Sequence, residues 1–266
     1  MNTGSLFRRI LQIHRTPPLA QRLRLLLATL CCAGLTGVAQ AADPVAINFD
    51  ANNPPYMFAL DGRAAGIYPA IVSAAMEKTG VPVKLDTRPW KRALAETDAG
   101  KSGIGGVYQN SDRARRYDFS DPILTENIAV YFNTAKPITF RSLPDLYGLT
   151  VGVIRGWSYG DAFDTARQSG LIKVEEVSGD RSNFMKLAEG RLDAILSVDE
   201  SGRATLAATG LGNIDQSRPY LASNKVYLAF AKSSQRKDVL DKFNRALSAM
   251  KHDGSLDRIV ARESAR

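Results

Sequence analysis

Apolar and polar residues alternate with period two along residues 45–49, which predicts a strand, and Asn52, Asn53, Pro54 and Pro55 after it predict a loop. Ile67, Ile71 and Ala75 then recur at i, i+4 and i+8, one face of a helix, with Gly80 as its stop. Residues 81–85 read as a second strand. Residues 90–99 read as a second helix with Trp90 and Leu94 on one face and Gly100 at its end. Residues 127–133 (NIAVYFN) are a strongly β-prone run, whereas 134–146 contain two prolines and little periodicity. The pattern then restarts with a strand over 151–154, a helix over 159–168 closed by Gly170, a strand over 172–177, a helix over 183–189 closed by Gly190 and a strand over 193–198. A strand over 226–232 and a final amphipathic helix bearing Leu240, Phe243, Leu247 and Met250 close the chain. Short strands and helices in alternation predict an α/β protein built as two similar runs.

The alternation begins only at Asp43. Ahead of it, an arginine-bearing stretch runs into an apolar segment over 25–38 and then Ala39-Gln40-Ala41, the pattern of a secretory leader cleaved after Ala41 or Ala42. The segment is too short, and too rich in Gly, Ala and Thr, for a transmembrane helix of about 20 apolar residues. The expectation is a leader over 1–42 and a secreted protein. This changes the reading of charge. The formal balance of +8 falls to +3 once Arg8, Arg9, Arg15, Arg22 and Arg24 are set aside, so no nucleic-acid partner is inferred. Cys31 and Cys32 leave with the leader, and His252 is then the single histidine. Thiol nucleophiles, disulfides, thiolate zinc sites and multi-histidine metal sites are excluded, and no metal or cofactor is expected.

Several motifs now fall in order. They are NPPYMF from Asn53, with Asp61-Gly62 and GIYPAI from Gly66; DRARRYDFSDP from Asp112; SLPDLYGLTVGV from Ser142; and LAEGRLDA from Leu187. Together they resemble the bacterial periplasmic solute-binding proteins of family 3, the amino-acid-type receptors of ABC transporters, over essentially the whole chain after the leader. The resemblance implies a type II-like periplasmic-binding-protein fold, two α/β lobes joined by two hinge strands, with lobe 1 as 43–131 plus 227–266 and lobe 2 as 132–226. It further implies a monomer that is not an enzyme and that traps a small ligand between its lobes for an inner-membrane ABC permease.

Arg113 is the first candidate for the cleft. A guanidinium offers a planar fork of donors to a carboxylate, and the family's matching arginine holds a ligand α-carboxylate; the competing reading gives that role to Arg115 or Arg116, or to none of the three. Ser158, in a turn before a helix, lies where free backbone N–H groups favour an anion, although an N-cap serine has the same signature. Tyr56, Trp90, Tyr108, Trp157 and Tyr159 are candidate stacking surfaces for the ligand. Trp90, at helical spacing with Leu94, reads equally well as core.

Asp199 and Glu200 are candidates for a ligand ammonium. The family's acidic position, five residues after the Asp of the Gly-Arg-x-Asp-Ala corner, falls here on Val198. Tyr108 and Gly106 stand where the family has small hydroxyl residues, so the resemblance implies an altered pocket. Gly156 to Gly160 also spells G-x-S-x-G, the pattern of a hydrolase nucleophile elbow. Its base would have to be His252, which is expected at the solvent-exposed end of the last amphipathic helix. Two rivals remain: a dehydratase-like enzyme of the same fold using Asp199 or Glu200, and a ligand sensor for a membrane receptor.

Overall fold

The first predicted strand is β1 (Val45–Asp50), with Val45, Ile47 and Phe49 turned into the core. It pairs in parallel with β5 (Val83–Arg88) and β6 (Gly103–Tyr108), and the crossovers are α1 (Ile67–Thr79) and α2 (Trp90–Asp98). A small antiparallel sheet of β2 (Asn52–Asn53), β3 (Met57–Leu60) and β4 (Arg63–Ala65) fills the loop before α1. Gly80 ends α1 in the left-handed region at φ 68°, donating its N–H to the Glu77 carbonyl. The computed structural model describes residues 43–265; residues 1–42, where a leader is expected and where Cys31 and Cys32 stand, lie outside the described residues.

Every residue of β6 is buried, and its glycines are demanded by neighbours. A Cβ on Gly105 would stand 2.2 Å from the Phe49 ring. Gly106, at φ 79°, coincides with a register shift in the ladder opposite Tyr227 and Leu228, a bulge just before the strand delivers Tyr108. Then follow α3 (Ser111–Arg116) and β7 (Tyr117–Phe119).

β8 (Thr125–Asn133) carries the chain into a second set of strands: β9 (Thr150–Ile154), β10 (Lys173–Val177), β11 (Ala194–Val198) and β12 (Ile214–Gln216). Between them lie α4 (Asp161–Gln168), α5 (Asp180–Ala188) and α6 (Asp199–Thr209). The return strand is β13 (Ala222–Ala231). Its residues 222–225 pair with β8, and from Val226 onward it pairs with β6 and β7. One path therefore runs β10-β9-β11-β8-β13-β6-β1-β5, with β12 attached to β8 and β7 to β13. The amphipathic helix α7 (Lys237–His252) buries Leu240, Phe243, Leu247 and Met250 as its spacing predicts, and packs with α8 (Ser255–Ser264) on α1. Among the described residues no helix is long and apolar enough to cross a membrane.

Three helices have no counterpart in the periodicity: α3, α6 and α8. In α6 the buried residues are Asp199, Ser201 and Gly202. A helix that packs through small and polar residues carries no apolar stripe, because Gly202 is set against the Tyr131 ring and leaves no room for a side chain. The strands β8 and β13 each start earlier than the apolar runs suggest, since Thr125, Glu126 and residues 223–225 are polar where the two strands pair with each other.

Candidate functional site

The site lies where the turn after β6 meets the turn after β9. Asn110 caps α3, its Oδ1 accepting the Arg113 N–H at 2.8 Å, and this sets Arg113 in the first turn with its side chain inward. Arg113 is 5% exposed. Its Nη1 donates to the Tyr108 carbonyl at 3.0 Å and its Nη2 to the Gly156 carbonyl, on the second half, at 3.1 Å. Among the described residues no carboxylate lies within ion-pair distance of it. Burial pushes its pKa down from the ordinary arginine value, as expected of a cation removed from water without a bonded anion. Arg115 and Arg116 instead pair with Asp112 on the exposed side of α3.

Trp90, Gly106, Tyr108, Arg113, Trp157 and Ser158 surround a void of about 10 Å³, room for about one water. The Trp157 ring stands edge-on to Trp90 and to Tyr108, with centroids 6.3 Å away in both cases. Its Nε1 donates across the junction to Asp50 Oδ2 at 3.1 Å, and Trp90 Nε1 donates to the Gly156 carbonyl at 3.2 Å. Outside the void, on the solvent side of Arg113, a cavity of about 440 Å³ opens between α3 and α4. Trp90 is thus both a packed residue and part of the junction.

Ser158 is buried; its hydroxyl donates to Asp164 and accepts from Asn110 Nδ2 at 3.1 Å. His252 is exposed at the end of α7, as expected, so among the described residues Ser158 has no histidine base. Tyr159 lies beside Trp157, but its hydroxyl accepts the Ile154 N–H at 2.9 Å and the ring packs on Phe163, inside the second half. Tyr56 stacks on Tyr68 and donates to Glu200 Oε2 at 2.8 Å, a further bond between the halves, away from Arg113. Asp199 is not brought to Arg113: its Oδ2 accepts from Tyr220 at 2.6 Å and from Arg203 at 2.9 Å. Five of the eight predicted residues therefore share one void, and Tyr56, Tyr159 and Asp199 do not line it.

The structure adds three carboxyl groups that sequence reasoning missed. Asp50 closes β1 and is pushed up to about 6 by burial, against the hydrogen bonds from Trp157 and the 51–52 backbone. Asp180 opens α5, accepts from Ser197 Oγ at 2.6 Å, and is pushed up to about 7 by burial and, less, by Asp50. Glu126, in β8, is 2% exposed, accepts from Tyr68 and Tyr108, and is pushed up to about 7 by burial. The available signal was positional: Asp50 directly ends an apolar strand, and Glu126 directly precedes one.

Residues 45–263 match the bacterial extracellular solute-binding proteins, family 3, and the chain belongs to that family. Among its relatives, the L-cystine-binding protein TcyJ of Escherichia coli strain K12 is 24% identical over 229 residues, covering 85% of this chain and 84% of that protein. The probable amino-acid-binding protein YxeM of Bacillus subtilis strain 168 is 24% identical over 243 residues, 88% of this chain and 89% of that one. In fold, a histidine kinase sensor domain with similarity to periplasmic binding proteins superposes with a TM-score of 0.75 at 20% identity, covering 84% of this chain and 96% of that one. An ancestral arginine-binding protein bound to arginine gives 0.71 at 23% identity, 84% and 98%. The two halves are accordingly the lobes of a periplasmic-binding-protein fold.

Proposed function

We propose that this chain is a non-enzymatic binding protein that captures a small carboxylate-bearing polar solute, an amino acid or a related compound, between lobe 1 (43–131 and 227–266) and lobe 2 (132–226). The observation that carries this reading is Arg113, a buried guanidinium whose donors meet only neutral carbonyls, one from each lobe. A desolvated cation without a counter-ion is costly, and a ligand carboxylate supplies that counter-ion while replacing the Gly156 carbonyl. Hinge opening about β8 and β13 admits the ligand, and closure completes the site from the Gly156 turn, a ligand-driven population shift. A leader over 1–42, a periplasmic location, a monomeric state and delivery to an inner-membrane ABC permease belong to the same reading. Micromolar capture requires about −8 kcal/mol, within reach of one charge-assisted pair and buried aromatic contacts.

A thermal-shift screen of residues 43–266 against the common amino acids, amines and organic acids tests the claim. The expected result is a raised melting temperature with at least one carboxylate ligand and none with Arg113→Ala. No stabilisation by any carboxylate, or binding unchanged in R113A, overturns it. The likeness to a histidine kinase sensor domain favours one second reading, in which the same ligand-closed form signals to a membrane receptor instead of feeding transport. Uptake that survives deletion of the gene, with loss of a ligand-dependent response, would select that reading.

A further inference from the structure

Glu126 does not line the void, yet it is bonded to Tyr108, which does. β13 pairs with β8 as far as Lys225 opposite Thr125 and with β6 from Val226 opposite Tyr108. Glu126 lies opposite Asn224 and Tyr108 opposite Val226, on the two sides of β13 and two residues apart along it. The hydrogen bond from the Tyr108 hydroxyl to Glu126 Oε2 therefore spans β13 where it changes neighbours. Tyr68, from the first turn of α1, donates to Oε1. Tyr108 is held at both ends, since its carbonyl accepts from Arg113.

We propose that Glu126 is a positioning residue at the start of the hinge strand β8: clamped by Tyr68 and Tyr108, its carboxylate ties β8 to α1 and β6 and so fixes the seat of Tyr108 beside Arg113. This rests on the cleft being the ligand site. The chemistry is a matter of donors. An ionised carboxylate only accepts, which matches two tyrosine O–H groups on its two oxygens. A protonated one carries its own donor, so one tyrosine hydroxyl must turn round to accept or lose its bond, and the wall beside Arg113 shifts with it. The titratable groups that act on Glu126 are Tyr68 of α1, Tyr108 of β6, Tyr56 before β3 and Glu200 of α6; no cation is among them. Burial outweighs the two hydrogen bonds, which places the change near neutral pH.

The chain's two tryptophans, Trp90 and Trp157, both border the void that Tyr108 lines, so their emission reports its position without any ligand. Emission of ligand-free protein is followed from pH 5 to 9 in Asp50→Asn, which removes the carboxylate that touches Trp157 and titrates near 6, and in D50N combined with Glu126→Gln or Tyr108→Phe. A step near pH 7 is expected in D50N and is lost in both double variants. No step in D50N, or a step surviving when E126Q is added, overturns the inference. Should E126Q fail to fold, Y108F decides, because it removes one hydroxyl and keeps the ring. If the step follows Glu126 while no carboxylate stabilises the protein, the ligand-site reading fails and the positioning role stands; ligand binding with no such step gives the reverse.

Discussion

The indole N–H of Trp157, in the second half of the fold, donates to the carboxylate of Asp50, in the first, at 3.1 Å, one of the bonds that join the two. Trp157→Phe keeps most of the ring and removes the donor. With Asp50 ionised above about 6, the bond is charge-assisted, and its loss is expected to cost roughly 1.5–3 kcal/mol at pH 8. At pH 5 the acid is neutral and the loss shrinks. Scanning calorimetry of both proteins at the two pH values measures this, and an equal loss at both would show that packing, not the bond, matters.

Arg113→Lys retains the charge and gives up the fork. A lysine ammonium cannot serve the Tyr108 carbonyl and a ligand carboxylate in one plane. Affinity for a ligand found in the screen is expected to fall about tenfold or more, equivalent to about 1.4 kcal/mol, by titration calorimetry. Unchanged affinity would place the carboxylate elsewhere.

Stability is expected to fall as pH rises from about 4 to 7. Asp50, Asp180 and Glu126 are raised by burial to about 6, 7 and 7, so in that window the folded chain holds protons that the unfolded chain has released. The slope is then negative. Carboxylates lowered by neighbouring arginines, such as Asp112 beside Arg116, act in the opposite sense and at lower pH. Urea midpoints at pH 5 and 7.5 test the sign, and D180N combined with D50N should flatten the difference.

Gly202→Ala is expected to destabilise by about 1–3 kcal/mol through overpacking, with ligand affinity little changed. The added Cβ would fall 2.2 Å from the Tyr131 hydroxyl, which itself donates to the Asp199 carbonyl at 3.1 Å. Chemical denaturation reads the loss, and a neutral result would mean α6 can shift away from β8.

Period and punctuation made most of the fold legible. Ile67, Ile71 and Ala75 form the buried face of α1, and Leu240 to Met250 that of α7, because these faces meet apolar surface. Period is silent at α6, whose contact face is polar or lacks a side chain. At the site, Arg113 was legible through a motif, whereas Asp50, Asp180 and Glu126 were not. A carboxyl group becomes informative only when burial and missing cations are known, and these depend on which strands become neighbours. Asp199 illustrates the converse: adjacency in sequence to Glu200 gave no hint that only the latter reaches Tyr56.

Strand order has a consequence for the order of events on the ribosome. β13 lies between β8 and β6 and is the last strand to be made, so the lobe 1 sheet lacks its inner neighbour until residue 231 has emerged. β9, β10 and β11, by contrast, are all synthesised by residue 198. The first-made segment of the sheet, β1 with β5 and β6, must therefore wait through more than a hundred residues of chain with the buried edge of β6 uncovered. That interval is when a holding chaperone would have most to do.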